Sequence, residues 1–254
     1  MKLSDMKIII TGAGGGMGAH FATRIAEAGG QVAVCDIKEE GLKELAESCS
    51  DLPGTVHYKV CDVSDEASIG SFVDWAFDAM GGLNGLVNNA GLLRDGLLVK
   101  KDRKTGEIIK MSKEQWQQVI DVNLTGVFLC GREAAAKMLE LGTEEGVIVN
   151  ISSLARHGSF GQSNYSAAKS AVAAMAEVWA KELARYNIRT GAVAPGTINT
   201  DMLAAMKPEA RERLVQAVPL RRLGEAEHIA RSVAFIFETD YFTGRCIDMD
   251  GGLR

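Results

Sequence analysis

"TGAGGGMGAH", residues 11–20, places five glycines between positions 12 and 18, directly after the apolar run Ile8-Ile9-Ile10. A β-branched run that ends in glycines and opens into helically spaced residues reads as strand, tight turn, helix. The same rhythm recurs outward from it. Short runs rich in Val and Ile, bounded by Gly, Asp or Asn, predict strands at 7–11, 31–35, 55–60, 85–88, 146–151, 188–193 and 244–248. Between them helical spacing runs over 17–29, 38–48, 65–80, 112–138, 164–186 and 225–238. Strand and helix in alternation predict an α/β fold, a seven-stranded parallel sheet covered by helices on both faces. No internal repeat, low-complexity tract or Pro- and Ser-rich linker interrupts the 254 residues, so 1–254 reads as a single domain.

The bulk chemistry narrows the partners. A formal charge of −5 gives no footing for nucleic acid or an anionic membrane. No apolar run reaches the 18 residues of a membrane span, and "MKLSDMKIII" lacks the apolar core of a secretion signal. Five cysteines without a C-x-x-C pair read as buried free thiols, which suits a reducing cytoplasm. The four histidines are scattered, so no metal site is expected. One segment breaks the rhythm. "KKDRKTGEIIK", residues 100–110, sets five basic against two acidic residues around a Thr-Gly turn signal. It reads as a surface excursion in the form of a short hairpin, either a solvated loop or a docking surface for an acidic or phosphate-bearing substrate.

A strand that ends in glycines and enters a helix presents free backbone N–H groups and the positive helix end to an anion. The stretch holds Gly14-x-Gly16-x-x-Ala19, close to the general dinucleotide pattern, and also Thr11-Gly12-x-x-x-Gly16-x-Gly18. Asp36 closes the second predicted strand, 18 residues past Gly18. There a carboxylate accepts hydrogen bonds from ribose hydroxyls and repels a 2′-phosphate, so NAD(H) is expected over NADP(H), although Lys38 lies close by. Further on, Tyr165 and Lys169 stand four apart at the start of a helix and share one face of it. A free tyrosine titrates near ~10, so acting as a base at neutral pH takes a shift worth roughly 4 kcal/mol. One ammonium ~4 Å away supplies about that much at intermediate dielectric. Desolvation opposes it, and the charge of an oxidised nicotinamide would help.

Taken in order, Thr11-Gly12-x-x-x-Gly16-x-Gly18, Asn88-Asn89-Ala90-Gly91, Asn123, Ser152-Ser153, Tyr165-x-x-x-Lys169 and Pro195-Gly196 resemble the short-chain dehydrogenase/reductases over the whole chain. "VNNAGLLRDGLL", "GQSNYSAAK", "VAPGTINTDM" and "TGRCIDMDGG" resemble the 3-oxoacyl-[acyl-carrier-protein] reductase branch. The resemblance implies a Rossmann fold with strand order 3-2-1-4-5-6-7 and hydride transfer between a nicotinamide and a secondary alcohol or ketone. A 3-oxoacyl or 3-hydroxyacyl thioester is the substrate it suggests. Another small alcohol, sugar alcohol or sterol, or a redox sensor without turnover, are the alternatives.

By the same resemblance Tyr165 is the acid/base, and Lys169 lowers its pKa and holds the nicotinamide ribose. Ser153 stabilises the substrate oxygen, and Asn123 holds a water that links Lys169 to solvent. Gly12, Gly16, Met17, Gly18, Asp36 and Ile37 fall in the nucleotide-binding set. Asp62 and Val63 resemble adenine contacts, and Asn89, Ala90 and Gly91 line the crevice. Pro195 and Gly196 also fall in the nucleotide-binding set, and Ile198 and Thr200 resemble the residues near the carboxamide and phosphates. Ser152 stands 13 residues before Tyr165, the family's usual spacing, and Ser153 stands 12; "ISSLA" aligns Ser153 with the motif. Gly15 stands where relatives that use NADPH carry a basic residue. Ala- and Gly-rich helices over 124–138 and 166–180 permit close helix contact. The resemblance implies that they build a homodimer and the carboxy terminus a homotetramer, the alternative being a monomer that buries the same faces.

Overall fold

The computed structural model describes residues 1–199 and 208–254. Seven strands form one parallel sheet: β1 (Lys7–Thr11), β2 (Gln31–Asp36), β3 (Thr55–Val60), β4 (Gly85–Asn88), β7 (Gly146–Ile151), β8 (Ile188–Pro195) and β9 (Arg245–Met249). An outlying antiparallel hairpin, β5 (Val99–Lys101) and β6 (Ile108–Lys110), takes the two intervening numbers. The sheet order is β3-β2-β1-β4-β7-β8-β9. Counted within the sheet this is 3-2-1-4-5-6-7, the doubly wound Rossmann arrangement. The winding reverses between β1 and β4, which opens a crevice at their carboxyl ends.

Both faces of a parallel sheet are covered, so its central strands are apolar throughout. Ile8 and Ile10 join Phe21, Val32, Val34 and Phe237 in one core, beneath α1 (Gly16–Glu27), α2 (Glu39–Ser48) and α8 (Ala226–Glu238). Ile9, pointing the other way, joins Ala33, Phe72, Leu86 and Ile148 under α3 (Glu66–Met80) and α5 (Val127–Glu140). Each of the Ile, Val, Leu and Phe side chains among them stabilises the fold by roughly 1.5–3 kcal/mol when fully buried. The five cysteines are free thiols, four of them buried.

Helix starts follow their local chemistry. The Asp65 carboxylate accepts from the N–H groups of Ala67 and Ser68 and caps α3. Ser112 caps α4 (Lys113–Ile120) by accepting from Gln115 N–H. In contrast, α1 follows Gly15 with no side-chain cap and no acidic residue in its first turn, so its leading N–H groups stay open to an anion.

The structure departs from the sequence expectation in three places. The predicted helix over 112–138 is broken into α4, a π-helical turn (Asp121–Gly126) and α5. Strand β8 runs two residues beyond 193, to Pro195. A helix, α7 (Pro208–Ala217), lies where no periodicity was read, because "PEARERLVQA" carries only Leu214 and Val215 as large apolar residues. Elsewhere the boundaries agree to within two residues, apart from α6 (Ser163–Leu183), whose last predicted turn is a 3-10 segment, Ala184–Tyr186.

Candidate active site

The glycine loop is built by close approach. Gly12 has φ +66°, and a Cβ on it would stand 2.5 Å from Ala90 Cα; one on Gly18 would stand 2.4 Å from the Gly12 carbonyl. Around Gly15 and Gly16 the space is open instead. A loop closed against the protein on one side and free on the other, at an uncapped helix start, fits a pyrophosphate. The Asp36 carboxylate accepts from Gly14 N–H at 3.1 Å through one oxygen and from Lys38 N–H at 3.1 Å through the other. It therefore stands fixed at the loop's edge, with lone pairs left over for hydroxyl donors. Ile37, beside it, is exposed.

The turn after β4 locks onto the same loop. Asn89 Nδ2 donates to the carbonyls of Thr11 (3.0 Å) and Gly12 (2.8 Å). The backbone N–H groups of Asn89 and Ala90 both donate to Thr11 Oγ1. Asp62 accepts from the N–H and hydroxyl of Ser64, and Val63 is buried beside it.

At the carboxyl ends of β7 and β8 lies a cleft of about 630 Å³. It is lined by Met17, Asn89, Gly91, Ser153, Tyr165 and Lys169 together with Pro195, Gly196 and Ile198. Lys169 is buried on α6; its Nζ donates to the Ile151 carbonyl at 2.7 Å and sits 5.6 Å from the Tyr165 ring centre. Burial pushes this ammonium down to about 8. Burial likewise holds the Tyr165 phenol above its ordinary pKa; the Ser153 hydroxyl acts against that, and the Asp95 carboxylate adds to it. The phenol therefore keeps its proton at neutral pH and is poised to donate it.

The two serines are separated by strand alternation. Ser152 is buried and donates to the Lys169 carbonyl at 2.7 Å. Ser153 opens into the cleft toward Tyr165, its oxygen accepting from Ala155 N–H. Asn123 is fully buried in the π-helical turn, with both side-chain atoms engaged by one residue. Its Oδ1 accepts from Leu92 N–H and its Nδ2 donates to the Leu92 carbonyl. Gly91 lies between it and Lys169, since a Cβ there would stand 2.5 Å from Asn123 Oδ1 and 3.7 Å from Lys169 Nζ.

Thus Ser153, Tyr165 and Lys169 come together in one cleft, with Asn123 behind Gly91. Of the other residues expected to hold a nucleotide, Met17, Asn89, Gly91, Pro195, Gly196 and Ile198 line the same cleft, and Thr200 falls outside the described residues. Sequence reasoning missed several contributors. Asn164, buried in the first turn of α6, accepts from Tyr165 N–H and donates to the carbonyls of Arg94 and Gln115. Gln162 Nε2 donates to Asp95 at 3.0 Å across the rim. Leu92, Leu93, Leu154 and Leu214 give the cleft an apolar wall. Nothing in the local pattern marked Asn164, the leucines or Asp95.

A doubly wound sheet with a glycine loop, a fixed carboxylate after β2 and a Ser–Tyr–Lys cluster defines a nucleotide-dependent oxidoreductase. The chain belongs to the short chain dehydrogenase family, whose model matches residues 6–211. It is 39% identical over 256 residues to the 3-oxoacyl-[acyl-carrier-protein] reductase FabG of Thermotoga maritima, covering 100% of this chain and 99% of that one. The enzyme of the same description from Staphylococcus aureus is 36% identical over 260 residues, covering 100% and 99%. Among solved structures, one assigned to a short-chain alcohol dehydrogenase of Sinorhizobium meliloti superposes with a TM-score of 0.86 at 31% identity, over 99% of this chain and 98% of that one. The protein is an oxidoreductase acting on CH–OH groups with NAD(P). Among the described residues no helix is long and apolar enough to cross a membrane.

Proposed function

We propose that this enzyme reduces 3-oxoacyl thioesters to their 3-hydroxy forms and uses NAD(H) in preference to NADP(H). The observation that carries the reading is the Tyr165 phenol, with Ser153 beside it, opening into a cleft walled by leucines that suit an acyl chain. The names of the relatives in Thermotoga and Staphylococcus point the same way. When bound, the nicotinamide supplies the hydride to the carbonyl carbon. The Ser153 hydroxyl donates a hydrogen bond to the carbonyl oxygen and stabilises the charge that develops there. Tyr165 delivers its proton to that oxygen as the alkoxide forms. Lys169, able to exchange a proton near pH 8, holds the ribose and restores the phenol. Asn123, its side chain held by Leu92, would position the water that links Lys169 to solvent.

The residues that would hold the nucleotide divide along it. The N-terminus of α1, with Gly12, Gly16, Met17 and Gly18, takes the pyrophosphate, and Asp36 takes the adenosine ribose. Ile37, Asp62 and Val63 flank the adenine, and Asn89 to Gly91 with Pro195, Gly196 and Ile198 flank the nicotinamide half. A cytoplasmic setting accords with the four buried free thiols. Trp116, Phe128 and Val178 stay exposed on α4, α5 and α6, which supports assembly into a homodimer or homotetramer through those helices.

The test is steady-state reduction of a 3-oxoacyl N-acetylcysteamine thioester, beside simple ketones and sugars, with each nucleotide. The thioester should give the highest kcat/KM, and NADH should exceed NADPH. A simple ketone or sugar reduced more efficiently than every thioester would overturn the substrate, and a preference for NADPH the nucleotide.

A further inference from the structure

The hairpin β5–β6 stands at the edge of the cleft with no evident structural task. Its root is fixed at two points. Gly96 N–H donates to the Gly161 carbonyl at 2.8 Å, one residue before Gln162 on the cleft wall, and Met111 N–H donates to the Leu98 carbonyl just before α4. Beyond that root all six strand residues are exposed. The turn is well made: Asp102 accepts from the N–H groups of Lys104 and Thr105, and Asp102 N–H donates to the Glu107 carbonyl. So the hairpin is a formed element whose side chains face outward.

Register decides what it presents. Val99 pairs with Lys110 and Lys101 with Ile108, so these four share one face, while Lys100 and Ile109 share the other. Val99 and Ile108 are 51% and 58% exposed. Arg103 and Lys104 add charge at the tip. No ion pair engages Lys100, Lys101, Arg103, Lys104 or Lys110 among the described residues. The nearest acid, Asp102, is occupied by backbone N–H groups. Phe160, 91% exposed, immediately precedes Gly161 of the root. Unpaired cations interleaved with exposed aliphatic side chains fit an acidic protein surface better than they fit water.

We propose that this hairpin docks an acidic carrier domain that delivers the acyl thioester into the adjoining cleft. This rests on the thioester reading above and assigns its partner surface. The cations would steer encounter with the acidic domain, while Val99, Ile108 and Phe160 would cover its apolar rim. The chain as a whole is acidic, so without this local patch a carrier of like charge would be repelled.

The experiment presents one 3-oxoacyl group on three handles: neutral N-acetylcysteamine, anionic coenzyme A, and an acidic acyl carrier protein. Wild type is compared with the Lys100→Glu/Lys101→Glu/Lys104→Glu triple variant and with Val99→Ser/Ile108→Ser. Binding of a fluorescently labelled, unacylated carrier protein is titrated in parallel by anisotropy. At low salt KM for the carrier-linked substrate should rise about tenfold in the triple variant with kcat unchanged, and carrier binding should weaken to match. The neutral thioester should be indifferent, which also shows that the variants are folded. The proposal is overturned if all three handles respond alike or none does. It is also overturned if coenzyme A and carrier shift equally, since the hairpin then reads small phosphates, or if the triple variant changes the oligomeric state, since the face then joins copies of this chain. Wild type that turns over no thioester defeats the substrate reading, and the anisotropy titration still decides the docking surface.

Discussion

Lys169 and the two serines before it show how much one residue's environment decides. Ser152 and Ser153 are chemically equal, yet one hydroxyl is consumed by the Lys169 carbonyl and the other opens beside Tyr165. Ser153→Ala should lower kcat by about 10² to 10³, the usual loss for a donor to a developing oxyanion. Ser152→Ala should cost about 1 kcal/mol of stability and leave kcat within tenfold. Turnover of both variants on one substrate decides between them. Lys169 carries a pH signature in the nucleotide-free protein. Its unfolded pKa is about 10.4 and burial lowers it to about 8 in the fold. Below pH 8 both states hold the proton and the burial penalty is complete. Between 8 and 10.5 the unfolded chain binds more protons, so rising pH stabilises the fold, by about 3 kcal/mol in all. Raised thiols such as Cys246, at about 11, and the raised Tyr165 oppose it in that window. The difference in unfolding free energy between wild type and Lys169→Met isolates the lysine and should move in favour of wild type from pH 8 to 10.5. A flat difference would contradict the buried ammonium.

Among the elements, the loop between β1 and α1 is the one on which the proposed preference for NAD(H) rests. Asp36 pins Gly14, and in the proposed reading it would also repel a 2′-phosphate. Removing it with Ala would loosen the loop as well as the charge. Asp36→Asn removes the charge and keeps one of the two accepted hydrogen bonds, so under the proposed preference the ratio of kcat/KM for NADH over NADPH should fall by about tenfold, roughly 1.4 kcal/mol. An unchanged ratio would place discrimination elsewhere. This loop was legible in the sequence because glycine is required where backbone approaches backbone, as at Gly12 and Gly18. The strands were legible because parallel pairing demands unbroken apolar runs. The π-helical turn was not: its register depends on the Asn123 side chain reaching Leu92, a contact 31 residues distant. Nor was α7, whose few apolar residues find their partners only in the assembled cleft, as Leu214 does.

At the scale of the whole molecule, the sheet brings the Tyr165 cluster, the glycine loop and the hairpin root to one end. Exposed Trp116, Phe128 and Val178 lie on the flanking helices, and the proposed assembly should appear as a dimer or tetramer mass by light scattering. A monomer at micromolar concentration would contradict it. The central claim is that the Tyr165 phenol delivers the proton while the nucleotide crevice works independently of it. Its most direct test measures Tyr165→Phe by NADH binding and by turnover of a 3-oxoacyl thioester. The account predicts an NADH Kd within threefold of wild type and a kcat lower by about 10² to 10⁴. A variant that keeps kcat within tenfold of wild type would contradict it.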